Sequence, residues 1–525
     1  MENIELAMCK TGEKASRFLK KKNTWKNFEK TRRGKKLVLF GVGNIFQYFT
    51  THYGSSLDYD ILIDNDKEKT GYTIESIEGW DRKETVVLIL STKYHLEMMQ
   101  QLEKKGWTNY FVFHLMEYNR LYIKYLWTQK TDEIICRIKG YNKKEWNNKK
   151  LFKKYKKEPL QKKIVFLTMG NYSDHGKYIA EEILRRKINC EIVWLVDRES
   201  EPVPHQIRKV VRDNFEAVVK EMATAKIWVS DIELPYWVVK RKDQIYIQTK
   251  HWSSVTLKKF YLDCDKLQER RKVDVDNWKY NSKIIDHIIT GSDFDTETCR
   301  KGFRFKGKVW QVGSPRSDIL FQMDPNKEYE IREKYNLPDE KRFLLYAPTY
   351  RYPKEHDKKH HVINEIDLDF DRLIQGLKKR FGGEWMILLR LHPSLVQMAE
   401  HLALGDNVID VTSVSDGEEL VAISEIMITD YSSIMFEPAH VRKTVFLYAP
   451  DVEHYLSDEY DLLIDIRELP FELAVTNEEL LRMIESFDSQ KYETTLNGFM
   501  DKYGVCEDGH ASERAVDLIS DLIMK

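Results

Sequence analysis

The feature that most constrains this chain is a recurring unit: a short apolar run, a polar or glycine turn, then a helical stretch. KLVLF (36–40) enters the turn Gly41-Val42-Gly43, YDILIDND (59–66) follows, and TVVLILST (85–92) precedes the helix-like YHLEMMQQLEKKG. The pattern resumes with KKIVFLTMG (162–170), EIVWLVD, KIWVSD (226–231) and QIYIQT (244–249). It returns again in FLLYAPTY (343–350), EWMILLRLHP, VIDVT, EIMITD and TVFLYAP. Runs that are apolar at nearly every position predict strands buried on both faces. Strands alternating with helices predict parallel α/β sheets rather than meanders.

Three such α/β units fit a chain of 525 residues, too long for a single core. The predicted boundaries are a small Rossmann-like, nucleotide-binding-like domain over 1–135, a basic linker over 136–161, and two larger α/β domains over 162–335 and 336–525. Open parallel sheets bind ligands beyond the carboxyl ends of their strands, so two adjacent large units predict a cleft enzyme.

The 84 basic and 84 acidic residues balance, which argues against a nucleic-acid partner. The six cysteines (Cys9, Cys136, Cys190, Cys264, Cys299 and Cys506) have no paired metal spacing and read as reduced thiols. The first residues lack the apolar core of a secretion signal, and no window approaches the ~20 apolar residues of a membrane span. A cytoplasmic protein, or one on the inner face of the cell membrane, is the expectation. Charge is locally uneven, however. Residues 143–163 carry ten lysines interleaved with Trp146, Phe152 and Tyr155 against two acids. Such a run is either a solvated linker or helix face, or an attachment to an anionic membrane surface with its aromatics in the interface.

Strand ends supply the candidate chemistry. In the first unit, Gly41-x-Gly43 with Asp64 some way downstream resembles a dinucleotide fingerprint, although Phe46 stands where its third glycine belongs. In ITDYSSIMFEPA (428–439) an apolar strand ends at Thr429-Asp430, and Ser432 and Ser433 open a helix. Hydroxyls and unpaired N–H groups there can cradle a phosphate, or Ser432 and Ser433 can simply cap the helix. Arg351 ends LLYAPTYR, and His392 follows Arg390 in LLRLHPS; three such strand ends in one sheet point to a shared anionic ligand. GSPRSDIL (313–320) presents Arg316 on a turn. QTKHWSSVTLKKF (248–260) places His251 just past a strand, where an imidazole can deprotonate a hydroxyl nucleophile.

Taken in order, QTKHWSSVTLKK, GSPRSD, LLYAPTYR, LRLHP and ITDYSSIMFEPA resemble the CDP-glycerol glycerophosphotransferase family, the teichoic acid glycerol- and ribitol-phosphate polymerases and primases. The resemblance spans roughly residues 162–485. It implies a GT-B pair of Rossmann-like domains, with 162–335 on the acceptor side and 336–525 on the CDP-polyol side. It further implies His251 and His392 as catalytic histidines, His251 being the general base on the acceptor hydroxyl. Arg351, Thr429, Asp430, Ser432, Ser433 and Arg316 would then hold the donor phosphates, and Trp252 and Ser253 would face the acceptor. The implied donor is CDP-glycerol or CDP-ribitol, the acceptor a lipid-linked or polymeric hydroxyl, and family members are peripheral membrane proteins. No cofactor and no metal ligand set is predicted. Alternatives are a GT-B glycosyltransferase using a nucleotide sugar for capsule assembly, or an inactive scaffold in a wall or capsule complex. This chain departs from the family where Gln-Thr-Trp-His-Gly is usual: Lys250 and Trp252 flank His251 here, so the expectation is a reshaped acceptor side.

Overall fold

A computed structural model describes residues 2–54, 56–66, 75–118, 121, 143–271, 274–349, 367–392, 395, 404–453, 455 and 461–524. The chain divides into two compact units, Met1–Trp146 and Asn147–Lys525. In the first unit, β1 (Lys36–Phe40), β2 (Ile61–Ile63), β3 (Thr85–Ile89) and β4 (Tyr110–Val112) form a parallel sheet in the order β2-β1-β3-β4. Alternate residues serve opposite faces: Leu37 and Leu39 fill one core, Val38 and Phe40 the other.

The second unit holds two larger parallel sheets. Its first contains β5 (Gln161–Leu167), β6 (Glu191–Val196), β7 (Arg208–Val211), β8 (Ala225–Ser230), β9 (Ile245–Gln248), β10 (His287–Thr290) and β11 (Lys308–Gln311), ordered β11-β10-β9-β8-β5-β6-β7. Its second contains β12 (Arg342–Ala347), β13 (Trp385–Leu389), β14 (Val408–Asp410), β15 (Ile426–Thr429), β16 (Thr444–Tyr448) and β17 (Leu473–Ala474), ordered β14-β13-β12-β15-β16-β17. Each sheet is doubly wound, and its order reverses beside its first strand, between β5 and β8 and between β12 and β15. Ligands bind at such switch points. The short strands β7, β10 and β11 had no sequence signal because each is four residues long and carries charged or polar residues at two of its four positions, which breaks the apolar run.

Helices cover both faces. Val165, Leu167, Val193 and Trp228 pack under one layer, while Ile164, Phe166, Trp194 and Ile227 pack under the other. The helix Asp174–Arg185 lies close over β5 and β6 at Gly176, where an added Cβ would sit 3.0 Å from Thr168 and 3.1 Å from Trp194. The last helix, Ala511–Met524, belongs to the final stretch of sequence, yet Ala515, Val516, Ile519 and Ile523 complete the core over the first sheet of this unit. Burying each of its larger apolar side chains contributes about 1.5–3 kcal/mol, enough to fix where the chain returns.

The lysine-rich stretch is not an open linker over its described length. Lys143–Tyr155 is a helix. Phe152 is buried and packs near Trp237, Trp146 is buried, and the Tyr155 hydroxyl donates to Glu216 at 2.5 Å. The aromatics expected to enter a membrane interface are therefore turned into protein. Lys163 is likewise buried, paired with Glu221 at 2.6 Å. Lys144, Lys150, Lys153, Lys156 and Lys157 remain exposed. Among the described residues, no helix is long and apolar enough to cross a membrane.

Candidate active site

The carboxyl ends of the two sheets in the second unit face one another, and the loops there bond across the gap. The Ser433 hydroxyl lies 3.2 Å from that of Thr256, Lys259 N–H donates to the carbonyl of Asp461 (2.9 Å), and Leu463 N–H donates to that of Leu257 (2.8 Å). Behind them, Lys177 from helix Asp174–Arg185 pairs with Asp416 (2.5 Å) and Glu419 (2.7 Å) at the helix Gly417–Ile423.

Both switch points use the same device. After β8, the Asp231 carboxylate accepts the Met169 N–H just beyond β5, at 3.0 and 3.1 Å. After β15, Asp430 accepts the Thr349 N–H just beyond β12, at 2.8 Å, and the Thr429 hydroxyl donates to the Ala347 carbonyl at 2.7 Å. Thr429 and Asp430 thus hold the backbone of the turn from buried positions, which differs from the direct phosphate contact expected of them. Ser432 accepts the Ile434 N–H as a helix cap, and both Ser432 and Ser433 stay partly open to the cleft. His392 is exposed just after β13, and its pKa is lowered by the protein around it and by Arg390. Arg351 lies outside the described residues.

His251 follows β9 and its side chain reaches solvent, whereas Trp252, Ser253 and Ser254 after it are buried. The surrounding walls of the cleft strip water from the imidazole and pull its pKa down to about 4. Asp174 opposes that shift, while Arg316 and Lys250 add to it. At neutral pH the ring is uncharged and free to accept a proton. Beneath it, Asp174 opens its helix with φ +58°, a left-handed conformation that costs a non-glycine residue about 1–2 kcal/mol. Burial would raise the Asp174 carboxyl, but Arg316 and His175 outweigh it and hold it low.

Arg316 was expected at a donor phosphate. Instead its guanidinium is buried among three carboxylates: Asp174 at 3.0 Å, Glu418 at 2.9 Å and Glu437 at 3.1 Å. It joins the two halves of the cleft through their acids. Burial drives Glu418 well above the carboxylate range even against Arg316. Glu437 is held below it, chiefly because Arg316 and His440 outweigh its burial.

Trp252 and Ser253 were expected on the acceptor wall, and the structure corrects both. The indole points into the core, tilted against Phe260 with ring centroids 4.5 Å apart and its N–H donating to Asp295 at 2.9 Å, and Ser253 is fully buried. The bulk next to His251 is therefore taken up by the core and not by the cleft. In the first unit, Asp64 accepts the N–H groups of Val42 (2.6 Å) and Asp66 (2.9 Å). The carboxylate that the fingerprint would offer a ligand holds the glycine turn itself. Gly41 adopts φ +113° there, and Gly43 starts the helix Asn44–Tyr53 with no side-chain cap. Among the described residues, no group of three or more His, Cys, Asp or Glu side chains could hold a metal ion.

Sequence reading missed Asp174, His175, Asp231, Glu418 and Glu437. The rule that found His251, a polar group just past a buried strand, also fits Asp174 and Asp231; the two glutamates lie inside helix starts and give no such signal.

Two doubly wound sheets that share a histidine-bearing cleft define a GT-B-like transferase architecture. Residues 151–521 match the CDP-Glycerol:Poly(glycerophosphate) glycerophosphotransferase family, and the chain belongs to it. It is 31% identical over 372 residues to a teichoic acid poly(glycerol phosphate) polymerase of Staphylococcus epidermidis, covering 68% of this chain and 50% of that one. A second such polymerase, from Bacillus subtilis, is 28% identical over 427 residues, covering 76% and 54%. This chain thus spans about half the length of these two relatives. The solved wall teichoic acid polymerase TagF superposes with a TM-score of 0.65 at 27% identity, covering 77% of this chain and 98% of that one.

Proposed function

We propose that the chain transfers glycerol phosphate from CDP-glycerol to a hydroxyl of a teichoic acid-like polymer or its primer and releases CMP. One observation carries this reading: a neutral, solvent-facing His251 just past β9, in a cleft whose other sheet presents Ser432, Ser433 and His392 just past its own strands. His251 takes the proton of the acceptor hydroxyl, whose oxygen attacks the β-phosphorus of the donor. The new P–O bond forms as the bond from that phosphorus to the bridging oxygen breaks, and CMP leaves with the electron pair. Catalysis here asks for positioning and charge stabilisation. Ser432, Ser433, His392 and Arg351 are the groups we assign to the donor phosphates, with Arg316, Thr429 and Asp430 shaping the cleft around them.

Family membership and the glycerol-phosphate relatives support the donor class. The exposed lysines of helix Lys143–Tyr155 and the residues after it support a peripheral position on an anionic membrane, where a lipid-linked acceptor would lie. The deciding experiment incubates the protein with CDP-glycerol, CDP-ribitol and UDP-sugars in turn and identifies the nucleotide released. CMP from CDP-glycerol, abolished in a folded His251→Ala variant, is the expected result. CMP from CDP-ribitol alone would change the polyol, and a nucleoside diphosphate would make the protein a glycosyltransferase. Donor binding without any release would make it a scaffold.

A further inference from the structure

Lys250 precedes the proposed base in sequence, yet its side chain points away from the cleft and is wholly buried. Its backbone sits at φ +57°, a strained conformation for a lysine, so something else must hold it there. The ammonium group donates to the carbonyls of Trp252 (2.7 Å) and Ser253 (2.8 Å) and pairs with Asp295 at 3.1 Å. Asp295 also receives the Trp252 indole N–H (2.9 Å) and the Gly291 N–H (3.1 Å) from the helix start at Ser292. On the far side, His175 Nε2 donates to the same Trp252 carbonyl at 2.9 Å. The residues on either side of His251 are thereby tied to one buried acid, and only the residue between them faces the cleft.

A fully buried ion pair gives little net stability, since an apolar pair of equal volume often does as well or better. Stability therefore does not explain why this one lies under the base. We propose that Lys250 and Asp295 are a positioning pair for His251: the ammonium clamps the carbonyls that follow the base and fixes the left-handed turn that projects the imidazole into the cleft. The proposal rests on the transfer reaction assigned above, with His251 as its base. A second effect follows from the same geometry. The charged and polar groups that act on His251 are Asp174 at its helix start, Arg316 on the 313–318 turn, Lys250 behind its own loop and the Asp231 backbone after β8. Within that set, Lys250 helps keep the ring neutral.

The test compares the parent with the double variant Lys250→Met/Asp295→Asn, which removes both charges together, and with Lys250→Arg, which keeps the charge but not the lysine's short bonds. CMP release from CDP-glycerol is followed from about pH 3.5 to 9. For the double variant the expected result is a kcat at least about tenfold lower, a donor KM within about twofold of the parent, and an acid limb displaced from the parent's as the imidazole shifts relative to Asp174 and Arg316. Lys250→Arg, which preserves the ion pair and so the fold, is expected to keep the parent's limb and lose kcat about threefold or more. A folded double variant with the parent's kcat and limb, or a Lys250→Arg enzyme at the parent's kcat, overturns the proposal. If the parent releases no CMP, or His251→Ala still does, the transfer reading has failed instead.

Discussion

Replacing Arg316 by methionine removes the guanidinium placed among Asp174, Glu418 and Glu437, and the structure fixes how stability should then respond to pH. In the parent, Asp174 and Glu437 have lowered pKa values, so their contribution is present above the unfolded value and is lost as pH falls through the folded one. Glu418 lies on the raised side already, because burial outweighs Arg316. Without the guanidinium, burial and the mutual repulsion of the acids outweigh what His175 and His440 still supply, and the pKa values of Asp174 and Glu437 rise above those of the unfolded chain. Breaking a buried pair from one side costs about 3–5 kcal/mol. Keeping one such acid protonated at pH 7 costs about 3.8 kcal/mol, from 1.36 kcal/mol per unit over roughly 2.8 units, so the two routes agree in scale. Now the folded state binds more protons than the unfolded one, and stability must fall as pH rises. Between pH 5.5 and 7.0 the deficit relative to the parent should grow by about 2 kcal/mol for each acid that holds its proton. Urea denaturation of parent and Arg316→Met at those two pH values measures it. A deficit that is equal at both, or below about 1 kcal/mol at pH 7.0, would refute the buried three-acid network.

Four further outcomes are expected. Because His251 titrates at about 4, kcat/KM for CMP release should be flat from about pH 5.5 upward and fall only below it; an acid limb near pH 6.5 would show an ordinary imidazole. Ser432→Ala should cost about 0.5–1 kcal/mol as a lost cap and raise the donor KM about tenfold; an unchanged KM in titrations with CDP-glycerol would leave the serine a cap and nothing more. Ile519→Ala, far from the cleft, should destabilise by about 2–4 kcal/mol and lower the thermal midpoint, since the last helix completes the core over β5 to β11. Replacing Lys144, Lys150, Lys153, Lys156 and Lys157 by serine should weaken co-sedimentation with anionic liposomes; unaltered binding would leave the helix as ordinary solvated surface.

Much of the fold was legible because a strand buried on both faces has to be apolar at successive positions, a signal that survives in a single sequence. IVFL, IVWLV, LLYA, MILL and IMIT each became a central strand. Edge strands such as β7 and β11 were not, because two polar residues in a run of four erase that signal. Of the site, the sequence by itself determined which residues stand just past those strands, and so brought forward His251, His392, Ser432 and Ser433.

Only the tertiary structure decided where side chains in the irregular turns point and what they meet. No periodicity governs a turn, so nothing in KHWSS says that Lys250 and Trp252 go inward while His251 goes out; Asp295, forty-three residues further on in sequence separation from Trp252, is what draws them in. Arg316 likewise reads as a free cation until the fold gathers Asp174, Glu418 and Glu437 around it. The physical reason is the same in both cases. Burying a charge is costly unless a partner is brought to it, and the partners here are distant in sequence: Asp295 follows the neighbouring strand of the same sheet, while Glu418 and Glu437 come from the other sheet.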